Sequence, residues 1–162
     1  MKPLSFVIVG SGWRAMFYVR IALRYPQCFK LCYLLCRTKE KAERIRREYG
    51  IPVTTDAHLC EDARPDFIVV AVDRASKFAV TKQWLAKGFV VLSETPAAET
   101  VEELEELWAL HQAGARLQID SPPWDTYQPV SPQADRGAGG PVTYSIADIC
   151  KFAIHKMQIF SA

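Results

Sequence analysis

The sequence has little excess charge and no long apolar run, and both absences exclude classes of protein. Its formal net charge is +2 over 162 residues, too small to favour nucleic acid or an anionic membrane surface as a partner. No apolar run is long enough to cross a bilayer. The first predicted strand begins a few residues after Met1 and leaves no room for a signal peptide. We therefore expect a cytoplasmic protein.

A paired cysteine pattern is also lacking. The five cysteines are Cys28, Cys32, Cys36, Cys60 and Cys150, an odd number that does not predict a disulfide framework. Cys32 and Cys36 lie in one predicted strand, where four residues span about 13 Å, too far for both thiolates to bind one zinc ion. We predict buried free thiols and no metal site.

The sequence does contain a glycine turn between an apolar run and a helix. Phe6 to Val9 are apolar, as in a strand buried on both faces, and Gly10-Ser11-Gly12 with Ala15 completes a G-x-G-x-x-A pattern. From Trp13 to about Tyr25 the spacing of apolar residues predicts a helix. Such a turn can bind a pyrophosphate, because the glycines allow close approach and the helix start offers N–H groups and positive charge. The alternative is a tight strand-to-helix turn without a ligand.

The rest of the first 120 residues alternates strands and helices. We expect Thr38, Ser76 and Thr100 to cap helices, with Glu103 completing a capping box and the helix after Ser76 running to Lys87. Strands joined by helix-length connections must be parallel, with right-handed crossovers. We therefore predict an α/β fold, a doubly wound parallel sheet (Rossmann fold), with a short C-terminal extension.

Four segments follow directly after predicted strands and should converge on one crevice, because ligands of such sheets bind at the carboxyl ends of the strands. They are Gly10–Arg14, Cys36–Thr38, Ala71–Arg74 and Glu94–Pro96. Beyond Asp120 the sequence becomes rich in proline and glycine, and one more strand is predicted from Pro141. We divide the chain into a dinucleotide-binding domain, 1–120, and a linker with the first strand of an incomplete second domain, 121–162.

An acidic residue is missing where an NAD site usually has one. That residue stands about 20 positions past the glycine turn and accepts the ribose 2′-OH, but here the position is Cys36. Arg37 and Thr38 follow, and a guanidinium with a hydroxyl suits a 2′-phosphate. We predict NADP as the cofactor, with NAD as the alternative, or else that Arg37 and Thr38 only start a solvated helix.

The chain resembles the Gfo/Idh/MocA oxidoreductases in four ordered segments: VIVGSGWRAMFYVRIA, LLCRTKEKAERIRREYGIPV, DFIVVAV and VVLSETPAAETVEELEEL. The resemblance covers about residues 4–120. It implies an N-terminal Rossmann domain, a C-terminal α/β domain, NAD(P), and oxidation or reduction of a sugar, polyol or similar small molecule. The cofactor-binding residues that it implies are Gly10, Ser11, Gly12, Trp13, Arg14, Arg37, Thr38, Ala71, Val72, Asp73 and Glu94.

Two features depart from the family pattern. The family commonly has Glu-Lys-Pro after the fifth strand, with a lysine that assists proton transfer, whereas this chain has Glu94-Thr95-Pro96, and a threonine hydroxyl titrates far outside the useful range. The resemblance also implies a second domain longer than residues 121–162 could form, with the catalytic residue beyond them, so we assign no catalytic residue, His155 included. A non-catalytic dinucleotide-binding or regulatory module is the alternative function, and an uncovered apolar surface would favour a homodimer.

Overall fold

The structure, a computed structural model, describes residues 2–120. Within them, strands and helices alternate along the chain without exception. The elements are β1 (Leu4–Val9), α1 (Trp13–Arg24), β2 (Phe29–Leu35), α2 (Lys39–Tyr49), β3 (Val53–Thr54), α3 (Ala57–Asp62), β4 (Phe67–Val70), α4 (Arg74–Ala86), β5 (Val91–Glu94), α5 (Val101–Gln112) and β6 (Leu117–Asp120). The predictions for residues 121–162, including the strand from Pro141, His155 and Cys150, lie outside the described residues.

The six strands form one parallel sheet in the order β3-β2-β1-β4-β5-β6. The predicted doubly wound fold is therefore confirmed. Its central strands are short apolar runs because helices cover both faces of the sheet, and Val7, Ile8, Ile68 and Val69 are fully buried. The strand order reverses between β1 and β4, which is where such sheets bind nucleotides.

Side-chain caps fix where several helices begin. Thr38 caps α2 and Thr100 caps α5, as the sequence predicts. The prediction that Ser76 caps the fourth helix is wrong. Asp73 caps α4 instead, because its Oδ1 accepts hydrogen bonds from the N–H of Ser76 at 3.1 Å and from its hydroxyl at 2.8 Å.

Two further features bear on the predictions. The four cysteines within the described residues are free thiols; Cys36 and Cys60 are buried, whereas Cys28 and Cys32 are only partly so. The apolar face of α5 is exposed at Val101, Leu104 and Trp108, while Leu107 is buried. None of the helices within residues 2–120 is long and apolar enough to span a membrane.

Candidate functional site

The turn after β1 is shaped by the end of β4, which passes close beside it. Gly10 has φ of +118°, and a Cβ at this position would lie 2.3 Å from the carbonyl oxygen of Ala71 and 3.0 Å from the nitrogen of Val72. The N–H of Gly10 donates to the Leu35 carbonyl, and the N–H of Ala71 donates to the Val9 carbonyl, both at 2.9 Å. The ends of β1, β2 and β4 therefore meet at one place, and only glycine fits there.

The space beside Gly12, at the start of α1, is open, whereas the space beside Gly10 is filled by Ala71. Gly12 is the N-cap residue, in extended conformation, and no side chain among the described residues caps the helix there. A Cβ on Gly12 would meet no heavy atom of residues 2–120 within 4 Å, so packing does not require a glycine. The first turn of α1 also carries no acidic residue. This helix start fits a pyrophosphate, because an approaching anion would meet backbone N–H groups and the positive end of the helix dipole.

Glu94, at the end of β5, is held by two side chains of α1. It is only 2% exposed. Its carboxylate accepts hydrogen bonds from Nε of Arg14 at 2.7 Å and from the hydroxyl of Tyr18 at 2.6 Å, and the Arg14 guanidinium lies 5.0 Å from the ring centre of Trp13. The structure thus brings two predicted site residues, Arg14 and Glu94, into direct contact.

The end of β2 presents a positive charge to the end of β4. Cys36 is buried, whereas the Arg37 side chain is 89% exposed and its Nη2 lies 3.7 Å from Oδ2 of Asp73. Hydrogen bonds from Ser76 lower the pKa of the Asp73 carboxyl, and the charge of Arg37 adds to the effect. The Thr38 hydroxyl accepts a hydrogen bond from the N–H of Lys41 at 3.3 Å. Arg37 and Asp73 therefore form an exposed ion pair that joins the segment after β2 to the segment after β4.

A family model for the Gfo/Idh/MocA oxidoreductases, described as an oxidoreductase family with an NAD-binding Rossmann fold, matches residues 4–120. The chain belongs to this family. Its predicted membership is thereby confirmed. No curated protein sequence matched the chain.

Solved structures show the same fold. GenD2 from gentamicin A biosynthesis, in complex with NAD, has a TM-score of 0.64 at 24% identity, covering 74% of this chain and 34% of that one. The WlbA dehydrogenase from Chromobacterium violaceum, with NADH and UDP-GlcNAcA, has a TM-score of 0.64 at 16% identity, covering 74% and 35%. Biliverdin reductase from Synechocystis, with biliverdin and NADP+, has 0.62 at 20%, covering 72% and 37%. The chain spans about a third of the length of these proteins.

Two side chains of this Gfo/Idh/MocA chain were missed by the sequence analysis. Tyr18 stands four residues after Arg14 on the same face of α1, and this spacing could have indicated a shared partner. Lys77 of α4 is buried, and its Nζ donates to the Thr95 carbonyl at 3.4 Å. Lys77 stands four residues before Thr81 and seven before Trp84, both buried, so helical spacing indicates the inward face of α4, but a lysine is expected to be solvated.

An apolar groove of about 580 Å³ lies elsewhere, between α5 and β6. Leu104, Leu107, Trp108 and Ile119 are among its lining residues. It includes no residue predicted to bind the cofactor. We therefore place the candidate site at the glycine turn, where the backbone geometry meets a specific chemical requirement.

Proposed function

We propose that residues 4–120 bind a nicotinamide dinucleotide and are the nucleotide-binding portion of an oxidoreductase. The contrast between the two glycines carries this proposal. Gly10 is required by the approach of Ala71, whereas nothing in the described protein fills the space beside Gly12. An open helix start at the reversal of strand order is what a pyrophosphate needs.

Glu94 supplies the other end of this site. A carboxylate has about four lone-pair positions. Nε and Nη2 of Arg14 both contact Oε2, and the Tyr18 hydroxyl donates to Oε1, so about one position is left for a ribose hydroxyl. Arg14 and Tyr18 fix its orientation. When bound, the nicotinamide supplies the hydride chemistry, while the protein provides binding, orientation and electrostatics.

For the cofactor we propose NADP in preference to NAD. Buried Cys36 offers no carboxylate to a ribose 2′-OH, and exposed Arg37 offers a guanidinium to a 2′-phosphate. Replacing Arg37 with Ala should weaken NADPH binding by about 10- to 100-fold and leave NADH binding unchanged, since a hydrogen bond to a charged group contributes about 1.5–3 kcal/mol. The matched control is Arg44→Ala, at an exposed position of α2. Equal loss for both cofactors would contradict the assignment.

For the substrate we propose a sugar, a polyol or a similar small molecule. The family resemblance supports this class, and the WlbA dehydrogenase was crystallised with the sugar nucleotide UDP-GlcNAcA. The chain spans about a third of that protein, so the proposal concerns the whole enzyme to which such a domain contributes.

Thr95 favours a second candidate, a dinucleotide-binding module without turnover. Its hydroxyl cannot replace a cationic proton donor. Such a module would bind cofactor but transfer no hydride with any member of a panel of aldoses and polyols. Detectable turnover would exclude it.

The binding proposal is tested by titrating the 162-residue chain with NADPH and NADH while following nicotinamide fluorescence. We expect saturable binding, tighter for NADPH. Failure of both cofactors to bind at millimolar concentration would overturn the proposed function.

A further inference from the structure

Lys77 is a buried cation for which the fold offers little compensation. It is 5% exposed and is the one lysine or arginine that is buried among residues 2–120. Lysines are almost never fully buried unless they are paired. Its hydrogen-bond partner within these residues is the Thr95 carbonyl, at a long 3.4 Å, and no described carboxylate lies within ion-pair distance of it. This arrangement costs stability, so a function is a reasonable explanation for it.

The nearest carboxylate is engaged elsewhere. Glu94 immediately precedes Thr95, but both of its oxygens accept hydrogen bonds from α1, one from Arg14 and one from Tyr18. Glu94 acts on Lys77 only as a charge at longer range. The ammonium therefore lies at the carboxyl end of β5 without a counterion in direct contact.

We propose that Lys77 is a titratable cation at the reacting end of the cofactor site. From α4 it performs the proton transfer for which Thr95 has no cationic group. This inference rests on the proposed function. When a carbonyl is reduced, its carbon gains hydride from NAD(P)H and its oxygen takes a proton from the Lys77 ammonium, which leaves a neutral amine and NAD(P)+. In the oxidation direction the amine takes the hydroxyl proton as hydride leaves for NAD(P)+.

The surroundings of Lys77 favour loss of its proton. Burial lowers the pKa of the ammonium; the negative charges of Glu94 and Asp73 oppose this shift, while Arg14 and Arg74 reinforce it. Glu94 is on β5, Arg14 is on α1, and Asp73 and Arg74 are at the start of α4. The charged groups that act on the amine therefore come from all three of these elements. A lysine with a lowered pKa is suited to proton exchange closer to neutral pH than an exposed one.

The test uses the difference between oxidised and reduced cofactor and needs no substrate. The nicotinamide ring is positively charged in NADP+ and neutral in NADPH, so a nearby ammonium should weaken binding of NADP+ relative to NADPH. The quantity to measure is the dissociation constant of NADP+ divided by that of NADPH, obtained by calorimetry on the 162-residue chain between pH 6 and 10. We expect this ratio to fall by about three- to tenfold as Lys77 loses its proton.

Two substitutions at position 77 fix the charge of its side chain, one at zero and one at +1. In Lys77→Met the ratio should be independent of pH and equal to the high-pH value of the unmodified protein. In Lys77→Arg it should be independent of pH and equal to the low-pH value, because a guanidinium does not titrate. Lys82→Met is the matched control: Lys82 is on the same helix but is exposed and paired with Glu106, and its loss should leave the pH dependence intact.

Circular dichroism establishes that each variant is folded before the ratios are compared. If both cofactors bind but the ratio in the unmodified protein is constant with pH, or if Lys77→Met retains its pH dependence, the role of Lys77 is refuted while the proposed function stands. If neither cofactor binds, the proposed function fails, and the inference fails with it.

Discussion

Adding a side chain at Gly10 and at Gly12 should have opposite consequences for stability and for cofactor binding. In Gly10→Ala the new methyl group would lie 2.3 Å from the Ala71 carbonyl oxygen, on a backbone with φ of +118°. Overpacking of this kind costs about 1–3 kcal/mol and a residue held in a disfavoured backbone region a further 1–3 kcal/mol, roughly. We expect the melting temperature to fall by about 10 °C or more.

Gly12→Asp should leave the fold intact and abolish tight cofactor binding. Gly12 has φ of −80° and ψ of −178°, the conformation of an N-cap residue, and its Cβ would contact nothing in the described protein. Aspartate is among the best N-cap residues, so stability should change by less than about 1 kcal/mol. Its carboxylate would, however, occupy the helix start and repel a pyrophosphate; two like charges about 4 Å apart interact by about 4 kcal/mol near a protein surface.

The assay pairs thermal melting followed by circular dichroism with titration of NADPH fluorescence. We expect Gly12→Asp to lose about 100-fold or more in affinity, and Gly12→Asn, which caps equally well but is neutral, to lose less. A folded Gly12→Asp protein that binds NADPH as tightly as the unmodified chain would refute the placement of the pyrophosphate. An unchanged melting temperature for Gly10→Ala would refute the close approach of Ala71.

Three further predictions concern stability and reactivity. Arg14→Met, which removes the cation from buried Glu94, should lower the free energy of unfolding in urea by about 2–3 kcal/mol; an unchanged midpoint would show that the pair contributes nothing. Partial burial raises the pKa of Asp66, but hydrogen bonds from the hydroxyl and N–H of Ser5 outweigh it and lower the pKa. This contact therefore stabilises the fold above the ordinary aspartate pKa, and the stabilisation is lost as pH falls through the lowered value. Ser5→Ala should lower the free energy of unfolding by about 1 kcal/mol at pH 7 and by progressively less below pH 4. A loss that does not vary with pH would contradict this. Burial raises the pKa of the Cys60 thiol to about 12, so only about one molecule in 10⁴ is thiolate at pH 8, and peptide mapping after brief iodoacetamide treatment should show it as the slowest of the four described thiols.

The fold could be predicted from the sequence because its signals are local. Apolar runs of strand length, caps such as Thr38 and glycines such as Gly50 at the end of α2 each act within a few residues. The alternation of strands and helices then allows few arrangements, since crossovers of parallel strands are right-handed. The glycine turn was visible for the same reason, because Gly10 and Gly12 are adjacent to the strand and helix that they join.

A local contact and a long-range contact were both missed. The cap of α4 was assigned to Ser76 because serine is a good cap, but Asp73, three residues earlier, also suits that role, and only the structure distinguishes them. Lys77 is 18 positions from Thr95, and a lysine on a helix is expected to be solvated. Likewise, no local signal in the sequence indicates that Leu104 and Trp108 of α5 remain exposed.

Helix α1 connects the two ends of the candidate site. Its first residue follows Gly12, where the pyrophosphate is proposed to bind, and its second and sixth residues, Arg14 and Tyr18, hold the carboxylate of Glu94 at the end of β5. A ligand that binds at the start of α1 therefore contacts the same helix that orients Glu94. Because Thr95 follows Glu94 and its carbonyl accepts the hydrogen bond of Lys77, the position of the buried amine depends on that element too. The phosphate end and the reacting end of the site should accordingly respond together when α1 is perturbed, although only the first could be recognised from neighbouring residues in the sequence.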